Sequence, residues 1–204
     1  MRQLLLTMLL LLICVPDIFA GVQELAGEPQ GEQEIRKLLE SRDQEIKELL
    51  GPKGTEYTDE QREKLKKIIN GIIDFEAMAA YALGDTYQKI NSEQRNEFVS
   101  LFSSIVRDQS LNRLEIYRAE VTYEEIRVAN DTARVRTIAR LEDVRTPVSY
   151  QMRKNESGWV ITDMVIDEVS TKESYYRQFQ NIIRQRGFEP LLESLRRRAA
   201  RSTP

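Results

Sequence analysis

Two changes in the spacing of apolar residues divide this chain. From Glu34 to about Tyr117 apolar side chains recur three or four positions apart, from Ala119 to Ser170 they alternate one in two, and from Thr171 onward the helical spacing returns. A helix brings every third or fourth residue to one face, and a strand every second. A block of strands between two blocks of helices does not read as a repeated βαβ unit. It predicts an α+β domain, a curved antiparallel sheet of about four strands covered by helices on one face.

Local signals sharpen this outline. A first helix from about Glu34 carries Ile35, Leu38, Leu39, Ile46, Leu49 and Leu50 and ends at Gly51-Pro52. Thr58 with Gln61 has capping-box spacing before Leu65, Ile68, Ile69, Ile72 and Ile73, and "DFEAMAAYALG" is expected to continue helically to Gly84. Asn91 with Gln94 opens a helix whose Phe98, Leu101, Phe102 and Ile105 form one stripe. Asn130-Asp131 and Asn155 to Gly158 mark hairpins, and Val148, Tyr150 and Met152 share the dry side of their strand. Ser170 or Thr171 caps a helix bearing Tyr175, Tyr176, Phe179, Ile182 and Ile183. Gly187 ends it, and Phe188, Leu191, Leu192 and Leu195 mark a last one.

Missing residue types exclude much chemistry. The chain has no histidine, and its one cysteine is Cys14. Ser-His-Asp and Cys-His nucleophilic sites, histidine zinc sites and histidine general bases are therefore absent. No Gly-rich phosphate loop follows a strand, so no nucleotide cofactor and no metal is expected. A net charge of -3 argues against a nucleic-acid partner. The charge is uneven, because eight basic residues follow Thr171 against Glu173, Glu189 and Glu193.

"MRQLLLTMLLLLICVPDIFA" places Arg2 before an apolar run too short to span a bilayer, then Pro16 and the small Ala20. That is the layout of a cleavable export leader, residues 1–20. Residues 21–33 read as a flexible lead-in, 34–198 as one domain, and 199–204 as a basic tail. Toward the C-terminus, Arg196, Arg197, Arg198 and Arg201 are solvated charge or a contact for an acidic partner or anionic headgroups.

"DFEAMAAYALG" at 74–84, "EQRNEFVSLF" at 93–102, and "WVITDMVIDEVS" at 159–170 with "YYRQF" at 175–179 follow in order. The chain from about Glu34 to Arg198 resembles the MlaC, or toluene-tolerance, family of periplasmic phospholipid-binding proteins. The resemblance implies a soluble periplasmic carrier, monomeric and without catalytic residues, that serves outer-membrane lipid asymmetry. It would hold acyl chains in an apolar cavity and pass lipid between an outer-membrane lipoprotein complex and an inner-membrane ABC transporter fronted by an MCE-domain ring. The walls would be Phe98, Leu101, Phe102 and Ile105 on one helix and Val148, Tyr150, Met152, Trp159, Ile161 and Val165 on the strands, with Tyr175, Phe179, Ile182 and Ile183 on the next helix. In the plainer reading the same side chains fill one another as core. Two chains of about sixteen carbons carry roughly 20 kcal/mol of transfer free energy at about 0.8 kcal/mol per methylene, so they cannot cross water unshielded.

The chain departs from the family pattern at Glu168, where a glycine is usual, and at Thr171-Lys172 and Tyr176. Tyr87 and Ser110 also differ from the usual tryptophan and tyrosine. A junction so altered implies a different headgroup preference or docking surface, or a related ligand such as a hopanoid. Counting by two, Asp163 falls beside Trp159, Ile161 and Val165. Burial there would raise its pKa, so Asp163 with Tyr150 could serve an isomerase; the alternatives are a hydrogen-bonded Asp or a bulge turning it outward.

Overall fold

A computed structural model describes residues 30–111 and 114–202. Five α-helices come first: α1 Gln30–Leu50, α2 Asp59–Asn70, α3 Phe75–Leu83, α4 Asp85–Lys89 and α5 Ser92–Leu111. A 3-10 turn, Leu114–Arg118, leads into β1 Glu120–Ala129, β2 Thr132–Leu141, β3 Val144–Asn155, β4 Gly158–Ile166 and β5 Val169–Ser170, and then α6 Thr171–Arg186 and α7 Phe188–Ser202. The leader and most of the lead-in lie outside the described residues. Gln30 to Gln33 are helical, so the lead-in is shorter than the sequence reading placed it, and the basic tail is helical through Ser202.

Both capping boxes form. Thr58 Oγ1 accepts from Gln61 N at 3.3 Å while Gln61 Oε1 accepts from Thr58 N at 2.9 Å, and Asn91 with Gln94 repeats the exchange at 2.9 and 3.2 Å. The expected continuous helix through Gly84 is interrupted. Ile72 to Asp74 run beside β4, where Ile161 N donates to Ile72 O at 2.7 Å and Asp74 N to Ile161 O at 2.8 Å. These bonds satisfy an otherwise open strand edge, and Asp74 then starts α3 by accepting from Ala77 N at 2.9 Å.

The strands form an antiparallel meander in the order β1-β2-β3-β4-β5. The fifth, two residues long, adds to the four expected by pairing with Val165 and Ile166. Directly paired residues share a face. One face collects Ile126, Val135, Tyr150 and Met152, and α1 packs on it to make a cluster of Ile35, Leu39, Ile126, Ala133, Val135, Met152, Trp159 and Ile161. Helices α3, α5, α6 and α7 make a second cluster around Phe98 and Phe102, and Ile46, Leu50, Leu65 and Leu114 make a third.

Helix α1 is fastened at both ends. Near its start Glu34 accepts from Lys154 Nζ at 2.8 Å and from Trp159 Nε1 at 3.2 Å. At its other end the Arg118 guanidinium donates to the carbonyls of Leu50, Gly51 and Pro52 and to the Tyr57 hydroxyl. A helix C-terminus leaves carbonyls without partners, and one planar five-donor fork collects them here.

Candidate functional site

The helix-facing side of the sheet is mostly apolar, with Thr137 and Thr146 among its members, but covered only in part. Along β3 exposure climbs from Met152 at 2 %, through half-buried Tyr150 and Val148, to Val144 at 65 %. Along β4 it climbs from Ile161 at 7 %, through half-buried Met164, to Ile166 at 38 %, and the neighbouring Val169 reaches 56 %. A sheet face that only sealed a core would be buried throughout. Here α1 closes one end, and the end near the β2–β3 and β4–β5 turns stays open.

Three tyrosines mark the middle of this face and its edge. Burial pushes the Tyr150 phenol up to about 12, with Asp43 adding to it, although the side chain keeps accessible area. Burial likewise pushes Tyr117 up to about 12 and raises Tyr123 further. All three rings are half-buried, so they border a partly covered recess. The phenols are neutral at physiological pH, so the recess is uncharged at these positions.

The expected wall residues are divided. Phe98, Leu101, Phe102, Ile105, Tyr175, Phe179, Ile182 and Ile183 belong to the helical cluster, where they fill one another's space. The Phe102 and Tyr175 rings meet edge to face at 4.9 Å, and Phe98 and Phe179 do so at 5.6 Å. Tyr150, Met152, Trp159 and Ile161 belong to the cluster under α1, and half-buried Ile73 touches both groups. Val148 lies on the same face, opposite Ile166.

Val165 is placed differently from the sequence reading. Met152 pairs with Ile161 but Gln151 pairs with Asp163, so Thr162 is an extra residue and β4 carries a bulge. Beyond it the faces exchange: Met164 and Ile166 join Tyr150 and Val148, while Asp163 and Val165 turn to the outer side. Asp163 is fully buried there, accepting from Ser170 Oγ at 2.7 Å and Lys172 N at 3.0 Å at the start of α6. Asp163 and Tyr150 therefore lie on opposite sides of the sheet, which removes the geometry of the isomerase alternative, and the hydrogen-bonded Asp163 turned outward by a bulge is the arrangement found, anchoring the N-terminus of α6.

In place of the expected enclosed cavity, the sheet presents this half-covered face, open at Val144, Ile166 and Val169. Two clefts stand elsewhere. One of about 540 Å³ is lined by Thr55, Glu56, Tyr57, Arg62, Leu111, Leu114 and Glu115, and one of about 480 Å³ by charged residues of α2 with Arg107. Neither includes an expected wall residue. Sequence reasoning missed Tyr117, Tyr123, Ile72, Ile73, Val144, Met164 and Ile166. Strand alternation pointed to Tyr123, but nothing local marked the others as facing one space. Among the described residues no group of His, Cys, Asp and Glu could hold a metal, and no helix is long and apolar enough to cross a membrane.

No curated protein matches the chain. Among solved structures, the phospholipid-binding protein from Ralstonia solanacearum, in complex with a phospholipid, matches with a TM-score of 0.70 at 20 % identity. The match covers 86 % of this chain and 100 % of that one, which establishes a shared fold. The family model described as MlaC protein matches residues 40–197, which takes in α2 through α6, the second half of α1 and most of α7. The chain belongs to the MlaC family.

Proposed function

We propose that this protein is a periplasmic lipid carrier that shields phospholipid acyl chains on the graded apolar face and moves them between an outer-membrane lipoprotein complex and an inner-membrane ABC transporter with an MCE-domain ring. The observation that carries the reading is the graded exposure itself, buried under α1 and open at Val144, Ile166 and Val169. Chains enter at the open end, lie along Val148, Tyr150 and Tyr123, and stop where α1 closes over Met152 and Ile161. From Val144 to Met152 the strand spans roughly 26 Å at about 3.3 Å per residue. The hydrocarbon of one leaflet is about 15 Å deep, so the face is long enough. Family membership and the phospholipid in the Ralstonia protein support the ligand class.

Exchanging bilayer for protein leaves hydrocarbon in an apolar setting both times, so the net free energy is small and direction comes from the partners. No step here needs a bond to break, and the residues that would act are walls rather than acids or bases.

Native mass spectrometry with lipid extraction tests this directly. The purified protein should retain a mass that extraction identifies as diacyl phospholipid; a polycyclic lipid such as a hopanoid would change the ligand, and no bound mass would remove the reading. Val148→Glu places a carboxylate on the path and should lower bound lipid at least tenfold. Ser149→Glu, on the outer face, should not. Equal retention by both variants would contradict the assigned path.

A further inference from the structure

The outer face of the sheet carries an arrangement that the carrier reading does not use. Register places Arg127 on β1, Arg134, Arg136 and Arg140 on β2, and Arg145 and Arg153 on β3 on this one side, all exposed. Arg127 pairs directly with Arg134, and Arg140 directly with Arg145. Like charges placed directly across a sheet are destabilising. Glu124 and Glu125 neutralise Arg136 and Arg127, and Asp74 holds Arg153 at 2.6 Å. Arg134, Arg140 and Arg145 have no ion pair among the described residues, although Glu120 stands across from Arg140. The chain as a whole is at -3, so this face opposes the overall sign.

We propose that this arginine face is a docking surface for an anionic phospholipid bilayer. A three-strand array of exposed guanidinium forks suits a surface of phosphates, each fork able to take two oxygens. A protein partner would want a desolvated apolar or aromatic centre. The side chains between the arginines are Thr122, Thr132, Ser149 and Gln151 with one apolar pair, Ile138 and Pro147, too small to make such a centre. Single-stranded nucleic acid would want aromatic platforms, and this face has no aromatic residue. A bilayer needs neither, since each basic residue near an anionic surface contributes independently. The surface does not depend on the carrier reading, because the arginines lie on the opposite side of the sheet from Tyr150 and Met152.

The test is sedimentation with vesicles of phosphatidylglycerol in phosphatidylcholine, against phosphatidylcholine alone. The protein should bind the anionic vesicles, less so as salt rises. One arginine near such a surface is worth a factor of about five. Arg134→Gln, Arg140→Gln and Arg145→Gln combined should therefore weaken binding by roughly 100-fold, while Lys64→Gln with Lys67→Gln on α2 should change it little. The triple variant should melt no lower than its parent, since two like-charge pairs are relieved, and native mass spectrometry should find its bound lipid unchanged. Lost docking with retained lipid would separate this surface from the carrier path. Undiminished vesicle binding by the triple variant overturns the proposal, and so does a parent protein that ignores anionic vesicles, which would turn the search toward an acidic protein.

Discussion

Glu168 sits where the backbone asks for a different residue. It and Asp167 form the two-residue turn from β4 to β5 with φ of +64° and +48°. The left-handed region costs an L-residue about 1–2 kcal/mol, and glycine gives back about 0.5–1 kcal/mol of that in chain entropy. Glu168→Gly should therefore raise stability by up to about 1 kcal/mol, read as a higher urea midpoint; an unchanged midpoint would mean that the turn carries no strain. The departure from the family's glycine was visible in the sequence, whereas the positive φ was not. Tyr150 makes a second residue-scale prediction. Its phenol ionises at an ordinary value of 10 when unfolded and near 12 when folded, so the stability it contributes is complete below pH 10 and lost as pH rises through 12. Tyr150→Phe should flatten the fall in unfolding free energy across that window. An equally steep fall would place the phenol in open solvent.

At the scale of elements, caps were legible outright, whereas the bulge in β4 was legible only as one alternative for Asp163. Thr58, Asn91 and Ser170 name their own helices because a side-chain oxygen three residues from a backbone N–H is a local matter. The bulge at Thr162 depends on what β3 offers across the ladder, so counting by two carried Asp163 and Val165 to the wrong side. The break between α2 and α3 has the same origin, since Ile72 to Asp74 are held out of the helix by an isolated bridge to Ile161 of β4 rather than by their own propensity. Arg118 is likewise a long-range device, 66 to 68 residues from the carbonyls it collects. Arg118→Ala should cost about 2–3 kcal/mol by leaving them without partners, measured by chemical denaturation. A loss below about 0.5 kcal/mol would mean that water replaces the guanidinium at no penalty.

For the molecule as a whole, the α+β class followed from the order of the spacings, because segregated helices and strands leave few ways to bury both. The division of the apolar residues did not follow. The helical stripe through Phe98, Phe102 and Phe179 and the sheet residues Tyr150 and Met152 look alike in sequence, yet the first set packs on itself and the second meets α1. Only the register shows which apolar side chains have no helix above them, and those carry the proposed function.

Each of the four links between strands is two residues long. Pairing any strand with its neighbour therefore closes the shortest loop a chain can make, and little entropy is spent before hydrogen bonds begin to repay it. The sheet is therefore built from contacts close in sequence. Cys14 is the one cysteine, so no disulfide has to form or be shuffled as the sheet and helices assemble, and their folding needs no oxidant.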